Sequence, residues 1–267
     1  MNTNPRRAGS YAIRTEHVGI PVGDGPPMRA YVARPTASGP FPGVLVGMEL
    51  FGVDAGVRDV CDQLARLGFV ALAPDFHHRT APGSELPRDP VGRERGFELL
   101  GLMTRTTVLS DVGACIDHLH AGGSVHVSMV GLSLGGHIAY LAATEFDLAA
   151  VAVFYGGWLP STDIPISRPE PTLSLTPKIT GRVLFLVGEE DHVVPPAQRR
   201  EIEDALLKAG IRYEMVVYPG TGHGFLHADP TTASDAWRRV HALLVGGDRA
   251  RQSAPGPTPL GGRAEGG

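Results

Sequence analysis

The sequence has only two cysteines, Cys61 and Cys115, among its 267 residues. Two thiols exclude a framework of disulfides and any zinc site built from four cysteines. Both residues fall within apolar stripes of helical period, which predicts ordinary buried thiols.

An excess of positive charge and a long apolar run are also lacking. The net charge is −4 and the pI about 6.2, so no overall field attracts nucleic acid or an anionic membrane surface. Nowhere do about 18 apolar residues follow one another, so no membrane span is expected. Residues 1–10 have no apolar stretch behind Arg6 and Arg7, so no secretory signal is expected either. The expectation is a soluble cytoplasmic protein without nucleic-acid or membrane partners, monomeric or in a small homo-oligomer.

Glycine and proline are plentiful, with 35 and 23 residues. Their content is high but stays below the level that indicates low complexity. Hydrophobic residues make up 42% of the chain, which is enough for a sizeable core. No linker is recognisable within residues 11–246, so we expect a single domain there. A flexible N-terminus at 1–10 and a disordered tail at 247–267 are expected to flank it.

Short apolar runs alternate with segments of helical period. Six runs have the length and composition of buried strands, at residues 44–48, 69–73, 125–130, 149–154, 183–187 and 215–218. Apolar stripes between them predict helices after Asp54 and near 108–119, 134–142 and 202–209, and a last helix that stops at Gly246-Gly247. The alternation predicts an α/β fold, a mostly parallel twisted sheet with helices on both faces. Two further strands, near 11–18 and 28–33, are predicted to form an antiparallel edge.

Two irregular stretches, residues 75–95 and 156–180, are long for a compact domain. Long loops of this kind are usually functional or disordered. We expect both to overhang the carboxyl ends of the strands, where open α/β sheets bind ligands.

A Gly-x-Ser-x-Gly motif, residues 131–135, lies between an apolar strand and a helical stripe. In that position it predicts a nucleophile elbow, a tight turn that lifts the hydroxyl of Ser133 above the sheet. The start of the helix behind it favours developing negative charge. Ser133 is therefore the candidate nucleophile.

A serine hydroxyl needs a base and an orienting carboxylate, which should follow in the order serine, acid, histidine. Asp191 follows the predicted strand 183–187 and is the candidate acid, with Glu189 and Glu190 as alternatives. His223 follows the strand that ends at Tyr218 and has glycine on both sides, which makes it the candidate base.

The remaining histidines give no comparable signal. Adjacent His77 and His78 near Asp75 show no recognised ligand spacing, so no metal site is predicted. Six others are interpreted as surface or helix-face residues: His17, His118, His120, His126, His137 and His241.

Over residues 11–244 the sequence resembles the dienelactone hydrolase family of α/β hydrolases. Four segments carry the resemblance: Glu-Leu-Phe-Gly at 49–52, the loop 75–83 that contains Arg79, the elbow at Ser133, and the segments that hold Asp191 and His223. The resemblance implies an α/β-hydrolase fold and hydrolysis of a lactone or other carboxylic ester without metal or organic cofactor. It also implies that Glu49 lies beside the nucleophile and that Arg79 helps to hold a substrate carboxylate.

Two positions differ from the pattern of that family. Its name-giving enzymes carry cysteine at the elbow, and the glutamate helps to activate that thiol, so the role of Glu49 beside Ser133 stays open. His227 stands where the family has a second carboxylate-binding arginine. Because an imidazole and a guanidinium are different anion ligands, the charge of the substrate also stays open.

The residues themselves predict an acyl-enzyme mechanism. Ser133 would attack the ester carbonyl while His223 takes its proton and Asp191 orients the imidazole. The backbone N–H groups of Leu50 and Leu134 are the candidate oxyanion donors. The candidates for an apolar pocket wall are Phe51, Phe76, Trp158, Phe225 and Leu226.

Three functions fit this pattern. The first is a serine esterase or lactonase acting on a small molecule. The second is a non-catalytic ligand-binding protein of the same fold, because a fold alone does not establish function. It is disfavoured because all three triad residue types are present in the expected order. The third keeps the triad but transfers the acyl group to an alcohol or to hydrogen peroxide, and the sequence does not separate it from hydrolysis.

Overall fold

The computed structural model describes residues 10–23 and 25–252. It has eight strands: Ile13–Ile20 (β1), Met28–Pro35 (β2), Gly43–Gly47 (β3), Val70–Pro74 (β4), Val127–Leu132 (β5), Ala150–Phe154 (β6), Arg182–Gly188 (β7) and Tyr213–Tyr218 (β8). Its α-helices are Ala55–Arg66 (α1), Pro90–Gly101 (α2), Arg105–Ala121 (α3), Leu134–Ala143 (α4), Pro196–Lys208 (α5), Phe225–Ala228 (α6) and Pro230–Gln252 (α7).

All eight strands form one sheet in the order β1-β2-β4-β3-β5-β6-β7-β8. β1 pairs antiparallel with β2, and β2 pairs antiparallel with β4. The other pairs are parallel, and helices cover both faces. The α/β-hydrolase fold, with its mostly parallel sheet and antiparallel N-terminal edge, is confirmed.

The central strands are buried along their whole length, as their uninterrupted apolar sequences predict. Their carboxyl ends lie in register: Gly47 pairs with Gly131, and Leu132 pairs with Phe154. Between β7 and β8, Gly188 pairs with Tyr218. The segments that follow β3, β5, β6, β7 and β8 therefore emerge at one edge of the sheet.

Helix α2 lies inside a stretch that the sequence indicated to be irregular. It begins after Asp89, whose carboxylate accepts a hydrogen bond from the N–H of Gly92, and it has proline at its first position. Its buried residues are Gly92, Gly96, Leu99 and Leu100. Because glycines occupy half of this buried set, the sequence shows no apolar stripe here. Two short 3-10 segments, Pro165–Ser167 and Thr172–Lys178, likewise lie within the stretch 156–180.

The predicted end of the last helix is wrong, because α7 continues through Gly246-Gly247 to Gln252. Glycine costs a helix only about 1 kcal/mol, which tertiary packing can offset. The Arg182 guanidinium occupies the space that a side chain at residue 246 would need. Gly246 therefore lies within the helix and does not end it. Residues 1–9 and 253–267 of the two predicted flexible segments lie outside the described residues.

Within the part of the chain that the structure describes, no single helix is long and apolar enough to span a membrane. The pair α2 and α3 passes that test of length and composition only when taken together, and it is bent by 94°.

Candidate active site

Ser133 occupies a sharp turn between β5 and α4. Its backbone has φ 53° and ψ −110°, a conformation that costs a non-glycine residue about 1–3 kcal/mol. Hydrogen bonds from the N–H of Ser133 to the carbonyl of Phe154 and from the N–H of Gly135 to that of Met48, both 2.9 Å, hold the turn. A Cβ atom at Gly47 would lie 2.8 Å from the Cα of Gly135, so this close approach requires glycine. The geometry is that of a nucleophile elbow.

His223 and Asp191 extend from Ser133 in a hydrogen-bonded chain. The Oγ of Ser133 lies 2.9 Å from Nε2 of His223, and Nδ1 of His223 lies 2.9 Å from Oδ2 of Asp191. Because an ionised carboxylate only accepts, Nδ1 carries the proton and Nε2 is left to accept from the serine hydroxyl. The structure brings together the three residues that the sequence selected.

The Asp191 carboxylate is buried and well supplied with donors. Its Oδ1 accepts hydrogen bonds from the backbone N–H groups of Val193, at 2.8 Å, and Val194, at 3.0 Å. Burial alone would raise the pKa of this carboxyl, but the hydrogen bonds from His223 and the two N–H groups lower it below its ordinary value. Asp191 therefore stays ionised and faces the imidazole in one fixed orientation.

A cavity of about 250 Å³ opens at Ser133 and His223. Phe51 and Trp158 line it as predicted, and so do Glu49, Leu50 and His227. Six further lining residues were not selected from the sequence as site residues: Arg88, Arg93, Phe97, His192, Val193 and Gly224.

Helix α2 and the segment before it supply much of the wall that the sequence missed. The ring of Phe97 packs edge-on against that of Trp158, with centroids 6.2 Å apart. The guanidinium of Arg88 lies 4.9 Å from the centre of the Phe51 ring, a cation–π contact. The wall is thus aromatic with one cation stacked upon it.

Glu49 is buried in the turn after β3 and has three donors around it. Nη1 of Arg88 lies 2.5 Å and Nε2 of His227 3.3 Å from its Oε2, and the hydroxyl of Tyr155 donates to its Oε1 at 3.3 Å. Burial would raise the pKa of Glu49, but the contacts with His227 and Arg88 lower it. Its carboxylate is therefore charged and held in place in the cavity that Ser133 also lines.

Tyr155 is a site residue that sequence reasoning missed. It is the first residue after β6, it is buried, and its φ is 43°. Its ring lies edge-on to that of His223, with centroids 4.9 Å apart, and burial raises the pKa of its hydroxyl well above the ordinary value. Its position at the carboxyl end of a central strand is the signal that would have singled it out.

Arg79 does not reach this cavity. Its guanidinium forms a two-pronged ion pair with Asp111, at 2.5 and 2.8 Å, and the carboxylate of Asp111 is only 1% exposed. The expectation that Arg79 holds a substrate carboxylate is therefore not supported by its position. The arginines that line the cavity are Arg88 and Arg93.

Two predicted pocket residues are buried elsewhere in the fold. Phe225 is the first residue of α6 and packs on Tyr155 and Tyr218 beneath the site, and Phe76 is also buried in the core. Neither lines the cavity, and Leu226, also predicted for the wall, does not line it either.

His137, interpreted from the sequence as a surface or helix-face residue, is fully buried behind the elbow. Its Nδ1 contacts the carbonyl of Gly157 at 2.7 Å, and its Nε2 contacts the hydroxyl of Thr172 at 2.9 Å. Burial lowers its pKa to about 4, so the imidazole is neutral. A polar residue on the inner face of α4 becomes acceptable because the loop 156–180 supplies its partners.

The two cysteines are buried as predicted, and burial raises the pKa of each thiol. Among residues 10–23 and 25–252, no group of three or more histidine, cysteine, aspartate or glutamate side chains is arranged to hold a metal ion. His78 contacts Asp111 instead, at 3.2 Å.

Comparison with known proteins gives one consistent family. Residues 28–245 match the dienelactone hydrolase family. A "putative carboxymethylenebutenolidase" of Synechocystis sp. is 36% identical over 226 residues, which cover 80% of this chain and 89% of that protein. One of Escherichia coli is 32% identical over 226 residues, 80% of each.

A solved structure agrees with the sequence relatives. The crystal structure of a "putative dienelactone hydrolase" from Klebsiella pneumoniae superposes with a TM-score of 0.80 at 30% identity and covers 88% of this chain and 99% of its own. Fold, matched length and identity point the same way: the chain is a hydrolase that belongs to the dienelactone hydrolase family.

Proposed function

We propose that this protein is a serine hydrolase that cleaves a carboxylic ester or lactone through an acyl-enzyme formed on Ser133. The observation that carries the proposal is the hydrogen-bonded chain from Ser133 through His223 to Asp191, which opens onto a cavity. The family and the relatives' name, carboxymethylenebutenolidase, support an ester or lactone substrate.

In the first half of the reaction, Oγ of Ser133 attacks the substrate carbonyl and Nε2 of His223 takes its proton. Asp191 keeps the proton of the imidazole on Nδ1 and stabilises the imidazolium that forms. Collapse of the tetrahedral intermediate breaks the bond to the leaving oxygen, which receives the proton from His223. Water, deprotonated by the same imidazole, then releases the acid and restores Ser133.

The oxyanion of the tetrahedral intermediate needs preorganised donors. Leu134 is the first residue of α4, so its N–H has no acceptor within the helix. Leu50 lies in the turn after β3 and lines the cavity together with Ser133. We assign the two N–H groups to the oxyanion hole, and loss of one such donor typically costs about 100- to 1000-fold in kcat.

The cavity suits a small substrate with an apolar or planar acyl group. Its aromatic wall, Phe51, Phe97 and Trp158, supplies apolar area, and Arg93 and His192 stand at its surface as cationic or polar groups. Arg88 already pairs with Glu49 and Asp54, so part of its charge is compensated before any substrate binds.

The proposal is tested by hydrolysis of nitrophenyl acetate and of an aromatic lactone by wild type, Ser133→Ala and the control Ser174→Ala, which changes an exposed serine of the loop 156–180. We expect no turnover above background for Ser133→Ala and wild-type rates for the control. Retained turnover in folded Ser133→Ala would remove Ser133 from the mechanism, and intact substrates with wild type would favour a ligand-binding protein.

A second arm tests the acyl-enzyme and separates hydrolysis from acyl transfer. Several esters of one acid are cleaved in the presence of methanol or hydrogen peroxide. If a common acyl-enzyme forms, the ratio of free acid to methyl ester or peracid is the same for every leaving group. Ratios that vary with the leaving group would contradict a common acyl-enzyme. If the methyl ester or peracid exceeds the free acid, the protein is an acyltransferase or perhydrolase.

A further inference from the structure

The turn that carries Leu50 is contacted by residues 86–96. This segment comprises the residues just before α2 and the first half of that helix. Arg88 pairs with Glu49 and stacks on Phe51. The N–H of Leu86 donates to the carbonyl of Phe51 at 2.9 Å. We call residues 86–96 the bracing segment, because it touches the turn on both sides of Leu50.

Leu50 itself is contacted by Gly96, a buried residue in the middle of α2. A Cβ atom at Gly96 would lie 2.9 Å from the carbonyl oxygen and 3.0 Å from the Cβ of Leu50. Both are shorter than ordinary carbon contacts of about 3.5–4.0 Å. At Gly101, in the last turn of the same helix, a Cβ would meet nothing within 4 Å. The contact between α2 and Leu50 thus leaves no room for a side chain at Gly96. Gly101, in contrast, has free space for one.

We propose that Gly96 is a positioning residue for the reaction. Because it has no side chain, α2 packs directly against Leu50, and this contact fixes the direction of the Leu50 N–H. The inference rests on the proposed function, because it takes that N–H to be an oxyanion donor. The Cβ of Leu50 and its backbone N are bonded to the same Cα, so displacing that Cβ also moves the N–H. Donors of this kind act within about 2.7–3.1 Å of the oxyanion, so shifts of a few tenths of an ångström matter.

The test compares Gly96→Ala with its matched control, Gly101→Ala, on the full chain. For each variant, the fraction of active sites is titrated to its endpoint with a fluorophosphonate, and kcat is expressed per labelled site. A loss of folded protein lowers the labelled fraction, whereas a displaced donor lowers kcat per site and leaves KM unchanged.

For Gly96→Ala we expect kcat per site to fall at least about tenfold with KM within about twofold of wild type, a smaller effect than outright loss of a donor. Gly101→Ala should match wild type. Wild-type kcat per site in Gly96→Ala, or an equal loss in Gly101→Ala, would overturn the inference and leave the acyl-enzyme mechanism standing.

A second variant keeps the inference testable if Gly96→Ala does not fold. Leu86→Pro removes the N–H that donates to Phe51, and it also replaces the leucine side chain and fixes φ, in a part of the bracing segment without regular secondary structure. It should also lower kcat per site at constant KM, and full kcat per site would count against the bracing role. If wild type is not labelled at Ser133 at all, the proposed function fails and this inference falls with it.

Discussion

Replacing Asp191 by asparagine should nearly abolish turnover by fixing the wrong tautomer of His223. Oδ1 of Asp191 accepts two backbone N–H bonds, from Val193 and Val194, and lies 3.2 Å from Nδ1 of His223, whereas Oδ2 lies closer to that Nδ1, at 2.9 Å. In Asp191→Asn, the amide oxygen must stay with the two N–H donors, so the NH₂ group takes the place of Oδ2. Nδ1 of His223 must then accept, and its proton moves to Nε2, which can no longer accept the proton of Ser133.

The expected loss follows from that geometry. A serine hydrolase with a misprotonated histidine loses about 10⁴-fold in kcat, which corresponds to about 5.4 kcal/mol at 1.36 kcal/mol per tenfold. The assay is steady-state hydrolysis of a nitrophenyl ester, with unfolding by urea to verify that the variant is folded. Glu190→Gln, one residue away and exposed, is the matched control and should stay within about twofold of wild type.

Either of two results would contradict this role of Asp191. Asp191→Asn with more than about a tenth of wild-type kcat would show that His223 does not need this carboxylate. A comparable loss in Glu190→Gln, or in Glu189→Gln, would show that the acid is a neighbouring residue.

Two further predictions concern residues whose placement the sequence did not reveal. Arg79→Ala should lower the free energy of unfolding by about 3 kcal/mol, because it leaves the buried Asp111 carboxylate without its main partner. The same variant should change kcat/KM for anionic and neutral esters equally. A loss confined to anionic esters would instead place Arg79 in the substrate site. His137 is neutral in the fold, with a pKa of about 4. In the unfolded chain its pKa is about 6.5. The contribution of the buried neutral imidazole to the free energy of unfolding is therefore complete above pH 6.5 and is lost as the pH falls toward 4. Between pH 7 and pH 5, wild type should therefore lose about 2 kcal/mol more than His137→Gln in urea unfolding, and equal losses would contradict a buried neutral imidazole.

The sequence predicted that the three candidate triad residues lie together because each belongs to the segment that follows a strand, β5, β7 or β8. In a parallel sheet the carboxyl ends of neighbouring strands meet at one edge, so Ser133, Asp191 and His223 converge although they are far apart in the chain. Tyr155 obeys the same rule but was missed because a lone tyrosine after a strand carries no motif.

The cavity wall was less predictable. Helix α2 buries Gly92 and Gly96, so the apolar period that reveals other helices is missing, and with it the positions of Arg93 and Phe97. Arg79 lies in a turn and pairs with Asp111, which is 32 residues away in α3, and no local sequence pattern indicates such a pair. His137 was misread because its hydrogen-bond partners belong to an irregular loop.

The proposed mechanism depends above all on Ser133 being an activated nucleophile. The most direct measurement treats wild type and Ser133→Ala with a fluorophosphonate and maps the adduct by mass spectrometry of peptides. We expect one adduct, on Ser133, in wild type and none in Ser133→Ala. An adduct on another residue, or none in a folded protein that still cleaves esters, would contradict it.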